Sequence, residues 1–85
     1  EVLTVDRFGN VQLAAPASVL NGLGSRLTID RTHAVRGRTF GDAPPGGLVV
    51  FADSADRVAV AVNGGRAVVV LAVGPGDVLR LTNAD

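Results

Sequence analysis

The chain has no cysteine, which excludes disulfides, zinc–thiolate sites and a thiol nucleophile together. That leaves the redox compartment open, and a cytoplasmic location is the expectation. Lysine is absent too. All eight basic residues are arginines, and eight acidic residues balance them to a net charge of zero. A protein that grips duplex nucleic acid carries a basic excess to neutralise phosphates, so nucleic acid is not an expected partner. With the bias towards Ala, Gly, Val and Asp, the arginine-only usage reads as the codon bias of a GC-rich genome. No apolar run nears the roughly 18 residues of a membrane helix. The longest runs only from Ala67 to Val73. The opening residues do not read as a signal peptide, and none is expected. There is no methionine, and the chain begins Glu1-Val2-Leu3. A natural chain needs an initiator, so a fragment or processed piece is expected, with part of its chemistry on sequence outside it.

What is present is apolar and β-branched. Residues 1–85 suffice for a single domain, 47% hydrophobic and 19% charged, which suits a globular fold rather than a disordered tail. Valine is the commonest residue and favours strands. Strands are expected at Val2–Asp6, Val11–Ala14, Arg26–Asp30, Thr32–Arg36, Leu48–Ala52, Arg57–Val62 and Asp77–Thr82. Turn chemistry separates them at Gly9-Asn10, Asp53-Ser54-Ala55-Asp56 and Gly74-Pro75-Gly76. Pro16 to Gly24 reads as a loop with one helical turn, and Gly41 to Gly47 as irregular. The stretch from Arg66 to Val73 fits either a strand or a short helix, because periodicity cannot decide over so short a run. Many short strands with glycine-rich turns point to a mostly-β fold, a small antiparallel barrel.

Two segments stand out as candidate chemistry. If the first strand persists through Val5-Asp6-Arg7-Phe8-Gly9-Asn10, then Asp6, Phe8 and Asn10 share one face at period two. An acid, a ring and an amide make poor core but suit a ligand with an amine, a flat ring and hydrogen-bonding edges. The competing reading is a strand ending in a polar turn with Phe8 in the core. The second segment is Asp53-Ser54 with Val62-Asn63-Gly64-Gly65, whose glycines would let a ligand approach the backbone. An ordinary turn explains it as well. His33, the only histidine, has no acid neighbour and reads as an exposed strand residue. Carboxylates are scattered without calcium-loop spacing, so no metal site is expected.

Val5-Asp6-Arg7-Phe8-Gly9-Asn10 resembles the opening of the C-terminal domain of the S-adenosylmethionine hydroxide adenosyltransferases, a family that includes fluorinating and chlorinating enzymes. The likeness continues through Asp53-Ser54, through Val58 to Asn63 with Gly64-Gly65-Arg66-Ala67, and through Gly76-Asp77-Val78. It implies a β-barrel domain that shapes much of the adenosylmethionine pocket, with the catalytic groups on a larger N-terminal α/β domain. It also implies a homotrimer, with each site between the N-terminal domain of one subunit and the C-terminal domain of the next. Adenosylmethionine would be the substrate, with no further cofactor. Asp6 would meet the methionine ammonium and Ser54 its carboxylate. Asn10 would bond the adenine edge, Phe8 and Phe40 would line or stack on the ring, and Gly64 would offer backbone groups. The resemblance assigns no catalytic residue within this chain.

Three positions depart from the halogenating members. Ala55 and Val62 stand where those enzymes carry arginines, and Gln12 where they carry an aromatic. The resemblance therefore implies hydrolysis of adenosylmethionine to adenosine and methionine rather than halogenation, with the domain inactive alone. The reading from another class is a free-standing barrel that acts as a protein-interaction module. Convergence of Asp6, Asn10, Ser54 and Gly64 on one edge of the barrel would favour the first, and scatter the second.

Overall fold

The computed structural model describes residues 1–84 and, among them, every side chain except that of Phe40. Seven strands form one sheet: β1 (Val2–Val5), β2 (Val11–Pro16), β3 (Arg26–Ile29), β4 (Thr32–Arg36), β5 (Leu48–Ala52), β6 (Arg57–Val62) and β7 (Leu81–Asn83). Their spatial order is β1-β2-β6-β5-β4-β3-β7. All neighbours are antiparallel except β4 and β5, which run parallel. A parallel pair needs a crossover, and residues 37–47 supply it, with a 3-10 turn at Phe40–Asp42.

The sheet curls into a half-barrel. At its β1 edge, Val2 N–H donates to Asp77 O at 2.7 Å and Gly76 N–H donates to Val2 O at 2.9 Å. Residues 74–80 thus run from β1 to β7 across the gap between the sheet's two edges. This shortens the last strand relative to the expected Asp77–Thr82. Asp77 is spent on Val2, and Arg80 on Asp30, whose N–H donates to Arg80 O at 2.7 Å while its carboxylate accepts from Arg80 N–H at 2.9 Å. Only Leu81–Asn83 is left to ladder with β3.

Strand register places the core. Val11, Val60 and Val50 are cross-strand partners and each is fully buried. With Leu27, Ile29 and Val58 they fill the concave side; burying such a side chain is worth about 1.5–3 kcal/mol. Residues one step out of phase face outward: Gln12, Ala59 and Phe51 are partners across β2, β6 and β5. A smaller cluster of Ala43, Val49 and Ala61 lies on that outer side, where the crossover packs down. Ala17–Gly22 forms a 3-10 helix, somewhat more than the single turn expected. The ambiguous stretch contains a helix, α1 (Ala67–Leu71), whose Ala67 is buried in the core. No helix among the described residues is long and apolar enough to cross a membrane.

Candidate functional site

The segment Asp6–Asn10 does not continue β1. The strand ends at Val5, and the chain folds into a tight loop around one carboxylate. Asp6 Oδ1 accepts the N–H groups of Phe8 at 2.8 Å and Asn10 at 3.0 Å, and Oδ2 accepts Asn10 Nδ2 at 3.1 Å. Aspartate bonds its own following backbone readily, so it competes with strand continuation here. The reading that puts Asp6, Phe8 and Asn10 on one strand face is therefore corrected; the alternative, a strand ending in a polar turn, is what forms, but without Phe8 in the core. Asp6 and Asn10 are instead brought into direct contact, and Phe8 swings outside.

The loop's shape depends on Gly9. Its φ is +83°, and a Cβ there would lie 2.6 Å from Arg66 Cβ, so only glycine fits. Arg66 Nη1 donates to Arg7 O at 3.1 Å, and Val68 N–H donates to Gly9 O at 3.0 Å. The start of α1 is thereby bound to the loop.

The same hydrogen-bond scheme recurs at Asp53–Arg57, joining β5 to β6. Asp53 Oδ1 accepts the N–H groups of Ala55 at 2.9 Å and Arg57 at 3.1 Å. Asp53 Oδ2 accepts Gln12 Nε2 at 2.8 Å, a bond from the floor of the outer face. Burial opposes ionisation of Asp53. The Gln12 amide, the Arg57 and Ala55 N–H groups and the Arg57 charge outweigh it and hold the carboxyl below the ordinary aspartate value.

These two loops sit at opposite ends of the β2–β6 pair, and a cleft of about 460 Å3 runs between them on the outer face. Asp6 and Asn10 line it from one loop, and Asp53 and Ser54 from the other. Gln12, Phe51 and Ala59 line it between the loops, with Thr4 and Arg38 also part of the wall. An adjoining cleft of about 730 Å3 is lined mainly from the Ala17–Ser25 segment, by Leu20, Asn21 and Leu23 among others, and by Arg36 and Asp56, and shares Arg38 and Ala52 with the first. In the crossover, Asp42 accepts the N–H groups of Arg38 at 2.7 Å and Thr39 at 3.1 Å. These bonds, opposed by burial and helped by the Arg38 charge, hold its carboxyl below the ordinary value.

Of the expected site residues, Asp6, Asn10 and Ser54 come together in the cleft. Phe8 does not: it is 62% exposed on the loop, with the Arg7 guanidinium 4.9 Å from its ring centroid. It is neither in the cleft nor in the core. Gly64 lies in the turn after β6, at φ +81°, with open space where a Cβ would stand. Arg66 ties that segment to the Asp6–Asn10 loop, but Gly64 is not part of the cleft wall. Three of the four residues asked to converge thus line one cleft on the outer face, reaching it from loops at its two ends rather than from a single edge, and Gly64 does not. Phe40's side chain lies outside the described residues. Val62 is buried in the concave core.

Asp53 was named only as part of the Asp53-Ser54 segment, with no role of its own, and Gln12 and Arg38 were not singled out by the sequence as site residues. Gln12 was legible as a polar side chain inside an apolar strand. Arg38 gave no signal, since it lies in no recognisable pattern and arginine usage looked compositional.

Residues 1–80 match the family model of the SAM hydroxide adenosyltransferase C-terminal domain. The chain is similar to a protein of Salinispora arenicola named (R)-S-adenosyl-L-methionine hydrolase, with 63% identity over 82 residues. That stretch is 96% of this chain and 31% of the relative. A Thermus thermophilus protein of the same name is 40% identical over 84 residues, 95% of this chain and 31% of its own length. Among solved structures, an uncharacterized conserved protein from Thermotoga maritima superposes with a TM-score of 0.83 at 34% identity. The match covers 96% of this chain and 35% of that one. A conserved hypothetical protein from Thermus thermophilus gives a TM-score of 0.72 at 38% identity, over 96% and 34% of the two chains. The chain spans about a third of the length of the curated relatives it matches.

Proposed function

The chain belongs to the SAM hydroxide adenosyltransferase C-terminal domain family, and from that premise we propose that it binds substrate for an enzyme hydrolysing S-adenosyl-L-methionine. Residues 1–85 form one C-terminal β-barrel domain in this reading, joined to an N-terminal α/β domain that carries the catalytic groups. The products are adenosine, methionine and a proton, and no cofactor takes part. The enzyme is a cytoplasmic homotrimer, each site lying between this domain of one subunit and the N-terminal domain of the next. Alone, the domain is inactive.

The observation that carries this reading is the gathering of Asp6, Asn10 and Ser54 in one cleft. Its walls bear two carboxylates and one guanidinium, a formal charge of −1. Adenosylmethionine, with a sulfonium, an ammonium and a carboxylate, has a formal charge of +1. Asp6 retains acceptor capacity on Oδ2 for the ammonium, and Ser54 offers a hydroxyl to the carboxylate. Asn10 spends one N–H on Asp6, which leaves its carbonyl and second N–H for the donor–acceptor edge of adenine. Phe8, exposed on the same loop, presents an aromatic face to the purine from outside the cleft; the family resemblance alone assigns Phe40 to the ring and the Gly64 backbone to adenine. Exposed Val69, Val70 and Val78 supply apolar surface for a neighbouring domain to cover.

The relatives' names specify the (R) form of the substrate, and we extend that to this chain. A sulfonium is pyramidal with three different substituents. A site that holds the amino-acid end and the adenine end separately also dictates where the methyl group points. The full-length protein is to be incubated with adenosylmethionine, with and without chloride or fluoride, and the nucleoside identified by mass. Adenosine throughout is expected. A dominant halogenated nucleoside would sink the hydrolase reading and leave the domain assignment intact.

A further inference from the structure

The proposed function leaves the substrate's carboxylate with one hydroxyl for a partner, while the cleft holds a cation so far unused. We propose, resting on that reading, that Arg38 binds the α-carboxylate of the substrate and makes the site selective for substrates that carry one. Arg38 is the only cation among the described residues lining the 460 Å3 cleft, and it stands where that cleft meets the adjoining one.

Its root is held in place. Gly37 N–H donates to Val50 O at 3.0 Å, and Arg38 and Thr39 N–H groups donate to Asp42 Oδ2. A Cβ on Gly37 would lie 2.7 Å from Asp42 Cβ and Oδ2, so the turn is closed tightly against that carboxylate. A side chain rooted in a clamped turn loses less freedom when it takes a ligand.

The cleft's other charges set the need. Asp6 and Asp53 both face an entering amino acid, and they favour its ammonium and sulfonium while repelling its carboxylate. A hydroxyl does not offset two negative charges. The guanidinium carries the opposite charge and presents paired N–H donors that match the two carboxylate oxygens. Asp42, the acid nearest the Arg38 backbone, is already engaged by two N–H groups of the turn.

The experiment compares adenosylmethionine with its decarboxylated analogue, which keeps the sulfonium, amine and adenosine but lacks the carboxylate. Adenosine release is measured in the full-length protein and its Arg38→Ala and Arg38→Lys variants. Arg38→Ala is expected to raise KM for adenosylmethionine about 10- to 100-fold, the loss of a charge-assisted pair. KM for the decarboxylated analogue should move less than about threefold, because the lost partner is absent from it. Arg38→Lys should recover part of the loss by restoring charge without the fork. Equal losses on both substrates, or no loss on either, would overturn the assignment of Arg38 while the hydrolase reading stands. If the unmodified protein releases adenosine from neither substrate, the hydrolase reading fails and the carboxylate role fails with it.

Discussion

The loops Asp6–Asn10 and Asp53–Arg57 are built on one plan. In each, the first residue's carboxylate accepts the N–H groups two and four residues on. In each, the first N–H donates to the fifth carbonyl and the fourth N–H donates back to the first carbonyl. In each, the fourth residue is left-handed: Gly9 at φ +83° and Asp56 at φ +60°. They differ in what surrounds that fourth residue. Gly9 is pressed against Arg66, whereas Asp56 reaches the wall of an open cleft. One loop is locked from behind by α1, and the other is held by its own carboxylate and Gln12. The same local chemistry thus serves a packed anchor in one place and an accessible rim in the other.

The largest effect should come from Gly9→Ala. It adds left-handed strain and a clash with Arg66, and about 2–3 kcal/mol of stability should be lost in denaturant unfolding. Ala at position 9 with stability unchanged would mean that the two loops are equivalent after all. Next, Asn10→Ala removes a partner of Asp6 and, on the proposed function, the amide that would meet adenine. In the full-length enzyme, KM for adenosylmethionine should rise by about 10- to 100-fold, the cost of leaving a polar partner unpaired. Kinetics like those of the unmodified enzyme would take Asn10 out of the site.

Asp56→Gly probes the rim loop and should go the other way. Relief of left-handed strain, about 1–2 kcal/mol, exceeds the added chain entropy of about 0.5–1 kcal/mol, so a small rise in unfolding temperature is expected. A fall would show that the Asp56 side chain is needed in the second cleft. The smallest effect concerns acid. Because the carboxyl of Asp53 is depressed in the fold, its contribution is present above the unfolded aspartate value of 3.8 and is lost as pH falls below it. Asp53→Asn should therefore flatten the acid limb of the stability curve, read by unfolding between about pH 6 and pH 2. An unchanged limb would assign the acid sensitivity to another carboxylate.

Much of the fold is legible in the sequence, and the failures have specific causes. The alternation of Val58, Val60 and the β-branched runs located all seven strands, the last of them only at its end, because period-two burial is a local property. Asp77–Thr82 misled because its residues are bonded to Val2 and Asp30, partners that no local pattern reveals. The Asp6–Asn10 segment reads as extended because its residues do alternate in type; the side chain of Asp6 overrides that alternation by capturing two N–H groups. The helix at Ala67–Leu71 could not be told from a strand. Four apolar β-branched or leucine side chains in succession suit either, and burial of Ala67 with the clasp on Gly9 settled it.

Residue type and short spacing were enough to locate most strands and the places where the chain turns, and short motifs carried the resemblance that named the family and three residues lining the cleft. Those features are written within a few bonds of one another. That Asp6 and Asn10 share a cleft with Asp53 and Ser54, more than forty positions away, follows only from the folded chain. There β6 is inserted between β2 and β5, so that one outer face carries both loops and Gln12 bonds Asp53 across it. Arg38 owes its place to the same cause: the parallel crossover from β4 to β5 delivers it to the meeting point of two clefts, and strand order is not written in any one segment.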